Sequence, residues 1–185
     1  MLYRIRAGTL PSGSGRVGVH GMIPTRESGA FNGLNIPMHP AHEIRIAAAL
    51  LTRPGGEVLL VRKRGTTAFI QPGGKLEPGE EPVDTLCREL AEELGLAIAP
   101  SLPAYLGRYS APAVNEPGHV VTAEIFHLET DSPVTPGAEI EEIVWTDPQS
   151  TDHLTLAPLT RDHVLPLCGR LLAREKAVPP VQTRS

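Results

Sequence analysis

Apolar and polar positions along the chain change character near residue 43. Ahead of it no helical or strand period is visible. Ile44 to Thr52 is a dense apolar run of strand length, Pro54-Gly55-Gly56 supplies turn residues, and Val58 to Val61 opens a second run. The two predict a β-hairpin. A short strand is expected at Phe69 to Gln71, and Pro72-Gly73-Gly74 through Pro78-Gly79 predicts a loop. Further strands are expected at 102–109, 120–128 and 140–145, followed by a helical pattern over 156–175 that Pro158 and Pro166 interrupt. Strands, a helix, more strands and a last helix predict an α/β sandwich built on a mixed sheet.

The helix expected over Pro82–Leu94 has the clearest period. At about 100° per residue, Val83, Leu86, Cys87, Leu90, Ala91 and Leu94 share one arc, and Asp84, Thr85, Arg88, Glu89, Glu92 and Glu93 fill the other side. Pro82 suits the first turn, where its missing N–H costs little. Gly95 suits the end, where a left-handed residue is often needed.

Composition divides the chain at the same place. Residues 1–40 hold seven Gly, four Pro and four Arg against one acid, Glu27. We read 1–40 as a flexible Gly/Pro-rich extension, 41–176 as one globular domain and 177–185 as a frayed tail. Net charge is −4 overall, and the 145 residues after the extension carry −7. That balance disfavours a nucleic-acid binder that neutralises many phosphates, and seven aromatics are too few for a broad base-stacking surface. No apolar run approaches the length of a membrane helix. Two cysteines and no secretory pattern make a reducing, cytoplasmic setting the expectation.

The polar face of the helix carries the chemistry. Glu89, Glu92 and Glu93 stand at i, i+3 and i+4, so three like charges share one side and repel. Two of them lie near the helix C-terminus, where the macrodipole disfavours anions. A hard divalent cation, Mg²⁺ or Mn²⁺, resolves that conflict; a solvated acidic face, with Arg88 pairing Glu92, is the competing reading. The surrounding spacing decides between them. Gly74-x5-Glu80-x7-Arg88-Glu89-Leu90-x-Glu92-Glu93-x-Gly95-Leu96 resembles the Nudix box at every fixed position, a match expected by chance on the order of once in ten million chains of this length.

The resemblance implies a Nudix-type α/β/α sandwich around a mixed β-sheet, and Mg²⁺-dependent hydrolysis of a small-molecule nucleotide substrate in which a nucleoside diphosphate is linked to another moiety. It implies Glu89, Glu92 and Glu93 as metal carboxylates, Gly73 as a carbonyl donor to metal, and Glu80 and Arg88 as their support. A further glutamate is expected from Glu139, Glu141 and Glu142, with Glu139 preferred for its spacing to Trp145. Asn115 and Glu116, in a loop beside the site, and Arg62, at a strand end, are candidates for substrate binding. Pro112 resembles a proline of ADP-ribose pyrophosphatases, so nucleotide sugars such as ADP-ribose and nucleoside triphosphates both stand as substrates. The alternatives are a non-catalytic ligand-sensing module of the same fold and an RNA-end hydrolase. A monomer or a homodimer is expected.

Overall fold

The computed structural model describes residues 5–6 and 42–177. The expected extension and tail lie outside the described residues, apart from Ile5, Arg6 and Ala177. The described elements are β1 (Ile5–Arg6), β2 (His42–Thr52), β3 (Val58–Lys63), β4 (Gly73–Lys75), α1 (Pro82–Leu94), β5 (Ala104–Pro112), β6 (His119–Thr130), β7 (Ile140–Thr146) and α2 (Leu165–Ala177).

All seven strands join one mixed sheet of order β1-β6-β2-β3-β7, with β4 on β2 and β5 on β6. At its centre β2 and β6 run parallel, in unbroken register from His42–His119 to Thr52–Glu129. The expected hairpin of β2 and β3 is present but meets only at Thr52–Val58. The free edge of β2 takes β4 instead, with Ala47 opposite Gly74 and Ala48 opposite Gly73. That pairing brings the glycine loop to the middle of the sheet. The expected strand at Phe69 to Gln71 reduces to isolated bridges from Phe69 and Ile70.

Successive residues of a strand face opposite sides, and here both sides are buried, so β2 reads as a continuous apolar run. Ala47, Ala49 and Leu51 pack with Leu59, Val61, Phe126 and Leu128 against Leu86, Leu90 and Leu94 of α1. Ala48 and Leu50 pack with Val58, Ala123 and Ile125 against Leu159, Val164, Leu165 and Cys168. The result is the expected α/β/α sandwich.

α1 starts at Pro82 and ends at Gly95, which adopts φ +66° and donates its N–H to the carbonyl of Ala91. Its buried face is rotated from the projected one: Thr85 and Glu93 are covered, Ala91 is exposed, and Val83 and Cys87 are half-buried. The reason is tertiary. The loop before β4 and the side chain of Lys63 lie over the Glu93 side of the helix. The helix C-terminus is then clamped by the segment before β7, where Thr135 and Gly137 donate N–H groups to the carbonyls of Leu94 and Glu93.

The last helix begins after Pro158 with a π-turn, Thr160–Val164, closed by the Leu165 N–H on the carbonyl of Thr160. α2 follows with Pro166 in its first turn. The widened turn accommodates a proline whose ring would crowd a normal α register.

Candidate active site

The loop before α1 brings the acidic face of that helix against the sheet. Gly73 sits at φ +140° directly against the backbone of Ala47 and Ala48, where any Cβ would collide with the Ala47 carbonyl. Glycine is required there by close approach and by backbone angle together. Its N–H donates to Glu93 Oε2 at 3.0 Å. A Cβ on Gly74 would strike the carboxylate of Glu89, so this second glycine leaves room for that side chain.

Glu93 is 3% exposed. Lys63 Nζ, from the end of β3, stands 2.8 Å from its Oε1 and 3.7 Å from Glu139. The approach of Lys63 falls outside hydrogen-bond geometry, so Oε1 is buried with a charge partner but no aligned donor. Burial pushes the Glu93 carboxyl above its ordinary value, against the pull of Lys63 and the Gly73 N–H. Burial also opposes the charge on Lys63, but Glu93, Glu139 and Glu89 outweigh it and hold the ammonium above its usual value.

Arg88 organises the other side. It donates to Glu80 Oε1 at 3.1 Å, to Glu80 Oε2 at 3.1 Å and to Glu89 Oε1 at 2.7 Å. Glu80 also accepts from the Thr85 hydroxyl at 2.6 Å and from the Glu77 N–H. The Arg88 and Thr85 bonds hold the Glu80 carboxyl down at about 2. Thr85, placed by the sequence on the solvent side, is thus a buried partner of the loop.

Lys63, Gly73, Gly74 and Glu89 open onto one cleft of about 500 Å³, whose lining does not include Glu93, Arg88, Glu80 or Thr85. Its lining includes the polar or charged Lys63, Glu89, Glu92 and Glu139 with the backbone of Gly73 and Gly74, and the apolar Ile44, Ile46, Val121 and Leu159. Asn115 and Glu116 lie on its rim, with Glu116 paired to Lys75 at 3.1 Å, and Pro112 beside them. Of the three downstream glutamates, Glu139 lines the cleft, 79% exposed, while Glu141 and Glu142 are both engaged by Arg62. Arg62 itself is not in the cleft lining. Glu141 and Glu142 hold its guanidinium, and the next residue, Lys63, is the strand-end cation that lines the cleft. Lys63 was one of three adjacent cations in the sequence, and strand alternation separates them only once the sheet is known.

The three helix carboxylates do not converge on a common point. Glu89 leans to Arg88, Glu93 to Lys63, and Glu92 is 64% exposed. Among the described residues no three Asp, Glu, His or Cys side chains close on one position.

The family model of the NUDIX domain matches residues 42–168. The chain belongs to the Nudix hydrolases. CTP pyrophosphohydrolase of Escherichia coli is 30% identical over 142 residues, covering 74% of this chain and 96% of that protein. ADP-ribose pyrophosphatase of Methanocaldococcus jannaschii is 32% identical over 88 residues, covering 46% of this chain and 48% of that protein. Among solved structures, the MutT protein of Methanosarcina mazei superposes with a TM-score of 0.59 at 25% identity, covering 74% of this Nudix chain and 98% of its own.

Proposed function

We propose that this Nudix hydrolase is a Mg²⁺- or Mn²⁺-dependent pyrophosphohydrolase acting on a nucleoside triphosphate. The observation that carries this reading is the mixed lining of one cleft: apolar Ile44, Ile46, Val121 and Leu159 together with carboxylates and Lys63. A base and a phosphate chain call for both kinds of surface. The length over which the chain follows a protein named for CTP hydrolysis supports a triphosphate over a nucleotide sugar.

The donor set suits a hard divalent cation. It is built of carboxylate oxygens, and the buried Glu93 Oε1 lacks an aligned hydrogen-bond donor. Glu89, Glu92 and Glu93 would hold the cation, with Glu139 and the Gly73 carbonyl. When bound, it neutralises phosphate oxygens and favours ionisation of the attacking water. Glu80 and Arg88 keep Glu89 beside Gly74. Lys63 presents a positive charge to the phosphate chain, and Glu139, which is 79% exposed in the cleft lining, is placed to accept a proton from water with whichever oxygen does not hold the cation. The bases stack on Ile44, Ile46 and Val121, and Asn115 and Glu116 close the rim. Water adds across a phosphoanhydride bond, leaving nucleoside monophosphate and pyrophosphate.

A panel of CTP, UTP, GTP, ATP, 8-oxo-dGTP and ADP-ribose, with Mg²⁺ and with excess EDTA, tests the reading. Pyrophosphate and monophosphate released from a triphosphate, and abolished by EDTA, are expected. Turnover confined to ADP-ribose would transfer the assignment to nucleotide sugars. Tight nucleotide binding with no turnover in saturating Mg²⁺ would favour the ligand-sensing module.

A further inference from the structure

Gln71 is a polar side chain among the apolar residues of the cleft. It lines the cavity with Ala157 and Leu159, yet is only 4% exposed. Its backbone is pinned on both sides. Ile70 and Val61 exchange two hydrogen bonds of 2.8 and 2.9 Å, and the Ala49 N–H donates to the Pro72 carbonyl at 2.9 Å. Its carboxamide is pinned as well: the hydroxyl of Thr160 donates to Gln71 Oε1 at 2.9 Å. Thr160 is 0% exposed and opens the π-turn before α2. Such local widenings of a helix occur often at functional sites.

With Oε1 occupied, the Nε2 amide group is what remains of the side chain's hydrogen-bonding capacity. No acceptor meets it among the described residues, and it is not among their fully enclosed unpaired atoms. Gln71 lines the cleft, so this accessible donor is the group a ligand there can meet. Water satisfies it in the free protein, and a ligand that displaces that water without offering an acceptor leaves the donor unpaired.

We propose that Gln71, aimed by Thr160, selects substrates whose base presents a ring carbonyl oxygen to the cleft, the pyrimidines and guanine, over adenine. The inference rests on the nucleotide reading above. Cytosine, uracil and guanine each carry a carbonyl oxygen able to accept from Nε2. Adenine has none, and its exocyclic amine would set a donor against a donor. Its ring nitrogens still accept, so the discrimination is moderate, of the size of one neutral hydrogen bond, about tenfold.

The test is kcat/KM for CTP, UTP, GTP and ATP with Mg²⁺, together with calorimetric binding of CMP, GMP and AMP to the same proteins. The expected wild-type result is a best carbonyl-bearing triphosphate preferred over ATP by about tenfold. Gln71→Leu keeps much of the side-chain shape and is expected to bring that ratio close to one. Thr160→Val removes the aiming hydroxyl, frees the amide to rotate and is expected to shrink the ratio too; Thr160→Ser, which retains the hydroxyl, is expected to keep it. A loss of packing alone would weaken all four substrates together and leave the ratios in place. A ratio unmoved in folded Gln71→Leu, or a wild-type preference for ATP, overturns the inference while leaving triphosphate hydrolysis standing. Absence of both turnover and binding for every nucleotide would remove the nucleotide reading, and this inference with it.

Discussion

At the scale of single residues, Glu93 differs most from its expected setting. The helix projection places it on an exposed acidic face, where repulsion from Glu89 dominates. In the fold it is buried, accepts the Gly73 N–H and meets Lys63. Glu93→Gln retains an oxygen for the Gly73 N–H and removes a charge that burial disfavours. It also frees Lys63, which is partly exposed and keeps Glu139 nearby. These effects oppose one another, so the melting temperature is expected to change little. Turnover is expected to fall by about two orders of magnitude, the scale for loss of one preorganised electrostatic group. Melting and steady-state rates in saturating Mg²⁺ check both halves; near wild-type turnover would remove Glu93 from the metal-binding set.

At the scale of elements, the loop between β4 and α1 is tied to the helix by Glu80, Thr85 and Arg88. The Glu80 carboxyl is held well below its ordinary value, at about 2, first by Arg88 and then by Thr85. A depressed carboxyl contributes stability that is complete above its unfolded-state value and lost as pH falls through the folded one. For Glu80 the window runs from about 4.5 down to about 2. Unfolding midpoints measured across that range are expected to fall in the wild type and to fall less steeply in Glu80→Gln. Parallel profiles would show that the pair contributes nothing to acid stability. The same element shows what spacing alone conveys. The intervals from Gly74 to Glu80 and from Glu80 to Arg88 are visible in the chain, because a loop and two helical turns preserve local distance. The partnership of Glu93 with Lys63 is not visible, because thirty positions separate them and the sheet alone brings them together.

At the scale of the whole molecule, the sandwich is built from residues 42–177, and the described part of the extension adds an edge strand to its sheet. Ile5 and Arg6 pair antiparallel with Thr130 and Glu129 at the end of β6. The cleft lies along the first half of β2 and the start of β6, where Ile44, Ile46 and Val121 line it, away from the end of β6 that Ile5 and Arg6 pair with. A chain starting at Met38 is therefore expected to fold and to keep its metal dependence, with a small loss of stability from the missing edge pairs. Circular dichroism, melting and the EDTA-sensitive rate of the truncated protein check this. Insoluble protein would show that the segment packs more extensively on the domain or on a second copy.

What the sequence determined by itself is local. The helix α1 with its buried Leu86, Leu90 and Leu94, its ends at Pro82 and Gly95, the strand runs around Ile44 and Val120, and the glycine loop with its following carboxylates all depend on neighbours within a few residues, and all are present in the fold. The tertiary structure decided which of several equivalent groups face the cleft. It chose Lys63 over Arg62, and Glu139 over Glu141 and Glu142, because two strand carboxylates capture Arg62 while Lys63 reaches Glu93. It also buried Glu93 and Thr85 on a helix side that hydrophobicity marks as solvent, since a polar residue is buried wherever distant backbone or side chains supply its hydrogen bonds. Gln71 and Thr160, 89 positions apart, meet for the same reason: each is unremarkable in the chain, and only the packing of the last helix beside the glycine loop makes them a pair.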